Sequence, residues 1–191
     1  MKLILFGGSF DPPHRGHLKI IENCCKECDK IILMPCAHSP FKKGLPITKA
    51  KHRMKMLELL TQDLNHPIQI DNWEISQQEP NYTYFTIQHV QNEHPISSIS
   101  LVVGADQLEQ FHQWINYKEI LKSVHIIGFI RDNYNAVPVE GMNLTWIKDF
   151  KMDISSTEIR QQIAKGDPIG GSELPQPVWD YIQDNNLYGY E

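Results

Sequence analysis

The sequence has no long apolar run, no excess of basic side chains and little glycine or proline, and each shortage argues against a class of protein. The apolar run at the N-terminus spans Leu3 to Phe6, far too short for a signal peptide or a membrane span, so we expect a cytoplasmic protein. The 11 Gly and 12 Pro among 191 residues are too few for a fibrous protein. With 41% apolar residues, 7 Phe, 7 Tyr and 4 Trp, a packed core rather than disorder is expected.

Cysteine is also scarce and confined to one stretch. Cys24, Cys25, Cys28 and Cys36 are the four cysteines of the chain. Structural zinc sites pair CxxC or Cys/His groups, and no second pair follows downstream. We therefore expect reduced thiols on a helix rather than a zinc site, and we assign no residue to a metal.

The charges are distributed unevenly along the chain. The net charge of -5, from 18 basic and 23 acidic side chains, argues against nucleic acid or an anionic membrane as the main partner. Residues 1–60 carry 11 basic and 5 acidic side chains, hence +6, whereas residues 61–191 carry 7 and 18, hence -11. An anionic ligand is therefore expected to bind the first third of the chain.

Short apolar runs alternate with segments of helical period. The runs are rich in β-branched and aromatic side chains, as in strands buried on both faces. This alternation predicts a doubly wound (Rossmann-like) α/β fold, with a parallel sheet and helices on both faces. The predicted strands are Lys2–Phe6, Lys30–Met34, Ile68–Trp73, Ile99–Val103 and His125–Ile130, and the predicted helices are His17–Cys28, Lys49–Leu64, Thr83–Asn92 and Gln107–Leu121.

A short helical segment, about residues 153–191, is predicted to follow the sheet. Ser155 opens a capping-box pattern and Gly166 stops the helix that follows. A second short helix is predicted over Pro177–Gln183. No repeat or linker marks a boundary, so residues 1–191 are expected to form a single domain.

The most informative segment is GGSFDPPHRGH, residues 7–17, between the first strand and the first helix. In a parallel sheet this places it at the carboxyl edge, where ligands bind. Gly7 and Gly8 let the backbone approach a ligand closely, and the free N–H groups of a helix start attract anions. The segment lacks the GK[ST] of a Walker A loop and is not a GxGxxG fingerprint.

Two histidines distinguish this segment. His14 and His17 lie at i, i+3 and therefore side by side on one helix face. They can donate N–H bonds to a phosphate chain over the helix start, and Gly16 is expected to leave room for that chain. Two alternatives remain for the pair. The spacing can be incidental, or the two histidines can be two of three ligands of a metal site, although HxxH lacks the spacing and the carboxylate base of the HExxH motif.

These residues resemble the signature of the nucleotidyltransferase superfamily that carries the HxGH motif. The Gly-Gly-Ser-Phe-Asp-Pro opening is similar to that of bacterial nicotinate mononucleotide adenylyltransferases. HxGH alone is shared with pantetheine-phosphate adenylyltransferases, cytidylyltransferases and class I aminoacyl-tRNA synthetases. The synthetases are excluded by the chain length and by the absence of a KMSKS-like loop. The resemblance extends over nearly the whole chain, from Lys2 to Tyr188, and the tail Leu174–Tyr188 is similar to the C-terminal segment of the family.

A second motif agrees with the first. ISSTEIR, Ile154 to Arg160, resembles the ISSTxIR motif of the superfamily. Its hydroxyl-rich helix N-terminus is an anion site, and the arginine lies about one turn further on and can reach the same phosphates. A capped surface helix is the alternative interpretation of this segment taken alone.

The resemblance implies a site for ATP and places the reacting groups in it. His17 is expected at the α-phosphate, His14 on the phosphate chain, and Arg160 with Ser155 and Ser156 on the departing pyrophosphate. His14, His17 and Arg160 are thus the implied catalytic residues. The implied ATP-binding residues are Gly8, Ser9, Phe10, His14, His17, Gly104, Asp106, Ile154, Ser155, Ser156 and Arg160.

The resemblance also implies contacts to the nucleosides. Asp106, after the fourth core strand, is expected to accept from the ribose hydroxyls of ATP, with a helix cap as its alternative role. Trp114 is expected to stack on the nicotinate ring, with core packing as the alternative. Thr83 is expected to contact the pyridine carboxylate partly through its backbone, and Lys42 and Arg131 to bind the mononucleotide phosphate.

The chain departs from the family pattern at two places. Asn81 stands where the family has Ser, and Cys36 and Ala37 follow Pro35 where the family often has Asn. The contact made by that Asn is therefore in question. Most of the basic cluster Lys42, Lys43, Lys49, Lys51, Arg53 and Lys55 is expected to be a solvated helix face.

The implied reaction is adenylyl transfer from ATP, with Mg²⁺, to nicotinate mononucleotide. The nucleophile is already an anionic phosphate oxygen, so alignment and charge stabilisation suffice and no general base is needed. A neutral His17 can donate one hydrogen bond, and a protonated one would stabilise the transition state more. The alternatives are a sister enzyme for nicotinamide mononucleotide or phosphopantetheine, and a non-catalytic nucleotide sensor. The sequence leaves open whether the chain forms a homo-oligomer.

Overall fold

The computed structural model describes residues 1–37, 47–77, 80–95, 98–129, 138–147 and 154–190. In these ranges strands alternate with helices. The strands are β1 Lys2–Gly8, β2 Lys30–Pro35, β3 Ile68–Ile70, β4 Ser98–Gly104, β5 His125–Phe129 and β6 Leu144–Ile147. The helices are α1 Arg15–Cys24, α2 Ala50–Thr61, α3 Trp73–Ser76, α4 Thr83–Glu93, α5 Ala105–Leu108, α6 Tyr117–Ser123, α7 Ser156–Lys165 and α8 Gln176–Asp184, with 3₁₀ turns at Phe111–Gln113 and Leu187–Gly189.

The strands form one parallel sheet of order β3-β2-β1-β4-β5-β6. The predicted doubly wound α/β fold is therefore confirmed. The chain moves outward from β1 to β3 and then returns to the other side of β1 with β4, so the strand order reverses between β1 and β4. Ligands of open α/β sheets bind outside the carboxyl ends of the strands at this reversal.

The core lies on both faces of the sheet because successive strand side chains point to opposite faces. One face packs against α1, α2, α7 and α8, and the other against α4, α5 and α6. The buried strand residues of the first face are Ile4, Phe6, Ile31, Leu33, Val102, Ile127 and Phe129, and those of the second are Leu3, Leu5, Ile32, Met34, Ile99, Leu101, Val103 and Ile126.

The structure differs from the predicted elements at the edges of the sheet. β3 ends at Ile70, and Trp73 begins α3 instead of ending a strand. β6 was not predicted from the sequence, because the apolar run of this partly buried or exposed strand is interrupted by Thr145. The predicted helix over residues 107–121 is broken, because Trp114 is extended and Asn116 has a left-handed φ of 53°.

The C-terminal helices follow the prediction closely. Ser155 is the N-cap of α7, where its side chain accepts from the Glu158 N–H, and Gly166 ends α7 with a φ of 72°. Val178 and Ile182 of α8 are buried in the core of the first face. Among the described residues, no helix combines the length and the apolar character that crossing a membrane requires.

Candidate active site

The loop between β1 and α1 packs a buried aromatic ring against the second histidine of the HxGH motif. Phe10 adopts a left-handed φ of 48°, which a bulky residue rarely does. Its buried ring packs edge-on against Phe6 and against His17, with centroids 5.3 and 5.0 Å apart. Phe10, one of the implied ATP-binding residues, therefore positions His17 with its side chain, and only its main chain is left to face a ligand.

The two histidines close the N-terminus of α1 reciprocally. Nδ1 of His14 accepts from the Gly16 N–H at 3.1 Å, and Nδ1 of His17 accepts from the His14 N–H at 3.2 Å. The two rings lie 3.8 Å apart at an angle of 35°. Because each Nδ1 accepts a bond, the hydrogen-bond network assigns the ring proton to Nε2 in both residues.

The two histidine rings differ in their exposure to solvent. His14 is 1% exposed, whereas His17 is partly exposed at the carboxyl edge of the sheet. A Cβ on Gly16 would lie 2.9 Å from Nδ1 and Cε1 of His14. The absence of a side chain at Gly16 therefore makes room for the His14 ring in the cap, and the room expected there for a phosphate chain stays a prediction.

The second motif packs directly against this loop. Oγ of Ser156 donates to the Pro12 carbonyl at 2.9 Å, and Nη1 of Arg160 donates to the Asp11 carbonyl at 2.6 Å. Nη2 of Arg160 donates to Thr157. Two segments some 140 residues apart in sequence thus meet at one edge of the sheet, and Ile154 packs against the core beside them.

Three residues that the sequence analysis gave no site role hold the loop in place. The buried carboxylate of Asp11 accepts from the Ile47 N–H and from the Tyr188 hydroxyl, both at 2.7 Å. Burial raises the pKa of Tyr188, so its hydroxyl stays a donor. Arg53, from the cluster expected to be mostly a solvated helix face, is 2% exposed and donates from Nη1 to the Ser9 carbonyl at 2.6 Å. In the sequence, the Asp-Pro step of the first motif was the feature that could have pointed to a structural role for Asp11.

A pocket of about 790 Å³, including its open part, lies beside the loop at the ends of β1, β2 and β4. We call it the edge pocket. Thr83, at the start of α4, and Trp114 both line it. Trp114 also stacks on Phe111 with centroids 4.7 Å apart, so its ring takes part in core packing, and its stacking on a nicotinate ring stays a prediction. Gly8, Ser9, Cys36, Glu74, Asn81 and Thr86 are further lining residues.

Asn81, the departure from the family pattern, ties together two walls of the edge pocket. Its Oδ1 accepts from the Ala37 N–H at 2.8 Å, and its Nδ2 donates to the Glu74 carbonyl at 2.9 Å. The Cys36 Sγ lies 3.6 Å from the Ser9 Oγ. Cys36, which follows Pro35 near the position of the family's usual Asn, thus lines the pocket beside residues 7–17, which we call the first loop. The N–H of Ala37 holds the lining residue Asn81.

The Gly-x-Asp step at the end of β4 has a close-packed geometry. A Cβ on Gly104 would lie 2.5 Å from Oδ1 of Asp106, so the glycine makes room for that carboxylate. Gly104 is the N-cap of α5 and no side chain caps this helix. The helix-cap alternative for Asp106 is therefore wrong, and its exposed carboxylate lies at the ligand-binding edge.

Two of the expected site residues lie outside the described residues, and the four cysteines, except Cys36, lie apart from the edge pocket lining. Lys42 and Arg131, the implied phosphate contacts, lie outside the described residues. The four cysteines are free thiols, and Sγ of Cys28 donates to the Cys24 carbonyl. Across the described ranges, no group of three or more His, Cys, Asp or Glu side chains could hold a metal ion.

The family of the chain follows from comparison with known proteins. The model of the cytidylyltransferase-like family matches residues 5–162, so the chain belongs to this class. The Plasmodium falciparum nicotinic acid mononucleotide adenylyltransferase complexed with NaAD superposes with a TM-score of 0.82 at 20% identity, covering 100% of this chain and 98% of that one. At this identity the likeness shows the fold.

Two relatives narrow the class. Both bear the name "Probable nicotinate-nucleotide adenylyltransferase". That of Methylacidiphilum infernorum (isolate V4) is 35% identical over 189 residues, covering 98% of this chain and 92% of the relative. That of Chlorobium phaeobacteroides (strain BS1) is 31% identical over 201 residues, covering 98% and 100%. Within its class, the chain therefore belongs to the nicotinate-nucleotide adenylyltransferase family.

Proposed function

We propose that this protein transfers the adenylyl group of ATP to nicotinate mononucleotide, forming deamido-NAD and pyrophosphate in NAD biosynthesis. The observation that carries the proposal is the meeting of the two motifs at the reversal of strand order. There His17 and α7 flank the first loop, and the edge pocket opens beside it. Such an arrangement can hold a triphosphate and a second nucleotide side by side.

His17 is the residue we assign to the reacting α-phosphate. Its Nδ1 accepts from the helix start, so its Nε2–H is the donor that can stabilise charge on the phosphate oxygens. The neutral ring fits this bond, whereas a proton on Nδ1 would face the His14 N–H. The hydrogen bond from the His14 N–H therefore supports the neutral His17, which donates one bond, rather than the protonated form. His14, buried beneath it, serves the phosphate chain through the same tautomer.

Arg160, Ser155 and Ser156 are assigned to the departing pyrophosphate. The guanidinium of Arg160 uses two of its five N–H donors for the Asp11 carbonyl and the Thr157 hydroxyl. The other N–H groups can donate to a phosphate oxygen. Ser156 holds Pro12 and offers its main chain at the start of α7. ATP enters as its Mg²⁺ complex, in which substrate oxygens and water carry the cation.

The edge pocket is assigned to the nicotinate nucleoside. Trp114 offers a ring face for an electron-poor pyridine, and the N-terminus of α4 at Thr83 offers main-chain donors for its carboxylate. The 5′-phosphate of the mononucleotide then points toward the first loop, and Lys42 and Arg131 remain the contacts that the family resemblance implies for this phosphate. Its oxygen attacks the α-phosphorus of ATP in line with the leaving pyrophosphate.

One incubation series tests the proposal. The protein is given MgATP with nicotinate mononucleotide, nicotinamide mononucleotide or phosphopantetheine, and pyrophosphate and the dinucleotide are followed. We expect pyrophosphate and deamido-NAD in equal amounts with the nicotinate substrate, and a kcat/KM at least tenfold lower with the other two. Preference for another acceptor would assign the chain to a sister activity. Nucleotide binding without pyrophosphate from any acceptor would indicate a sensor.

A further inference from the structure

Glu74 is a buried acidic residue in the wall of the edge pocket, and the mechanism above does not use it. It belongs to the short helix α3 and is 7% exposed. The pocket lining places it together with Thr83, Thr86 and Trp114. The argument below rests on the proposed function, because that function puts the pyridine ring of the substrate in this pocket.

The contacts of Glu74 fix its side chain but do not neutralise it. The hydroxyl of Thr86, on α4, donates a hydrogen bond to Oε1 of Glu74. Among the described residues, Thr86 is the side chain that donates to this carboxyl group. The Glu74 carbonyl accepts from Asn81, which holds the backbone of α3 against the pocket. Oε2 is therefore the oxygen that can carry a proton.

Burial and a nearby carboxylate oppose the ionisation of Glu74. Burial raises the pKa of Glu74 from 4.5 to about 7, although the hydrogen bond from Thr86 lowers it, and Asp71, directly after β3, adds a smaller repulsion. His89 of α4 faces Asp71 rather than Glu74, with Nε2 3.6 Å from Oδ2 of Asp71 and its ring stacked on Trp73. Cys36 and Tyr82 are the other titratable side chains in the described lining of the pocket.

The pocket thus contains one feature that attracts a carboxylate and one that can repel it. Main-chain donors at the start of α4 favour the carboxylate of nicotinate. An ionised Glu74 in the same buried pocket would oppose it, because like charges in a low-dielectric site repel strongly. An uncharged nicotinamide group would meet no such opposition.

We propose that Glu74 is a specificity-determining residue, and that the pocket accepts the nicotinate carboxylate only while the carboxyl group of Glu74 is protonated. In this form Glu74 keeps the bond from Thr86 on Oε1 and presents the O–H on Oε2. Binding of nicotinate mononucleotide to the ionised enzyme then draws one proton from solvent. Binding of nicotinamide mononucleotide draws none through this group.

The first test compares pH profiles of kcat/KM between pH 6 and 8.5. In the wild type, we expect the value for nicotinate mononucleotide to fall on the order of tenfold between pH 7 and 8.5. In Glu74→Gln, which is isosteric and still accepts from Thr86, the profile flattens. Asp71→Asn, which keeps Glu74 but removes the repulsion from Asp71, still shows a fall, displaced to lower pH. An equal fall in wild type and Glu74→Gln overturns the proposal, while failure to form deamido-NAD at any pH would instead count against the proposed function.

The second test uses the wild type alone, so that it does not depend on folding of a variant. Titration calorimetry at pH 8 in buffers of different ionisation enthalpy measures protons taken up on binding. We expect about one more proton for nicotinate mononucleotide than for nicotinamide mononucleotide, which carries the same phosphate. Equal uptake for the two ligands overturns the proposal.

Discussion

The two halves of the site are built on opposite principles. The first loop, residues 7–17, holds its donors in a fixed arrangement, with Arg53, Arg160 and Tyr188 each bonded to a different group of it. The edge pocket has aromatic walls and one buried carboxyl group, Glu74, which receives a hydroxyl bond but no counter-ion from the described residues. The first loop can therefore bind anions at any pH near neutrality, whereas the edge pocket is proposed to bind an anion only when Glu74 is protonated.

This difference follows from what each half has to recognise. Phosphates are always charged near neutral pH, so donors fixed before binding stabilise them without reorganisation. A pyridine substituent is either a carboxylate or a neutral amide, and a carboxyl group that donates to a carboxylate when protonated and repels it when ionised responds differently to the two. The predictions below separate the two halves by disturbing one and measuring the other.

Loss of the His17 ring is expected to have the largest effect. His17→Ala removes the Nε2–H donor at the reacting phosphate, so we expect kcat to fall on the order of 10²-fold or more, with a smaller change in KM. His17→Gln, which keeps an acceptor for the His14 N–H, should lose comparable activity while retaining thermal stability. His125→Ala is the control, because His125 begins β5 at the opposite edge of the sheet. Steady-state kinetics with near-normal kcat in both His17 variants would contradict the assignment.

The parts of the site that could be predicted from sequence are those encoded in one continuous segment. His14 and His17 cap the helix that carries them, so local spacing was enough to place their rings side by side. Asp11 and Tyr188 meet across nearly the whole chain, and no local pattern announces such a contact. Glu74 was missed for a similar reason, since its burial depends on Thr86 and Asn81 from other elements.

The fold shows the same division between central and edge elements. The central strands are buried on both faces and read as apolar runs, so their positions were predicted within one or two residues. β3 and β6 lie at the two edges of the sheet and are only partly buried or exposed, which weakens the apolar signal. The break at Asn116 depends on a left-handed backbone that helical periodicity does not reveal.

The edge pocket can be disturbed without touching the phosphate half by replacing Glu74. A buried acid with a raised pKa stabilises the fold below its unfolded value of 4.5, and this contribution is lost as the pH rises toward and past about 7. Glu74→Gln has no such loss. Between pH 5 and pH 8 its stability relative to the wild type should therefore increase by about 2 kcal/mol. Denaturant unfolding at the two pH values measures this, and a constant difference would show that Glu74 is not protonated in the folded protein.

The phosphate half can be disturbed from a distance through Tyr188, and here the smallest effect is expected. Tyr188→Phe keeps the ring but removes the hydroxyl that donates to Asp11, so the buried carboxylate loses a donor and stability falls by about 1 kcal/mol. If that bond positions the first loop, KM for ATP rises roughly threefold while KM for nicotinate mononucleotide is unchanged. Tyr190→Phe is the matched control, because its hydroxyl accepts from Gln183 on the same C-terminal segment and does not touch the loop. An equal KM for ATP in both variants would mean that Tyr188 stabilises the fold without positioning the loop.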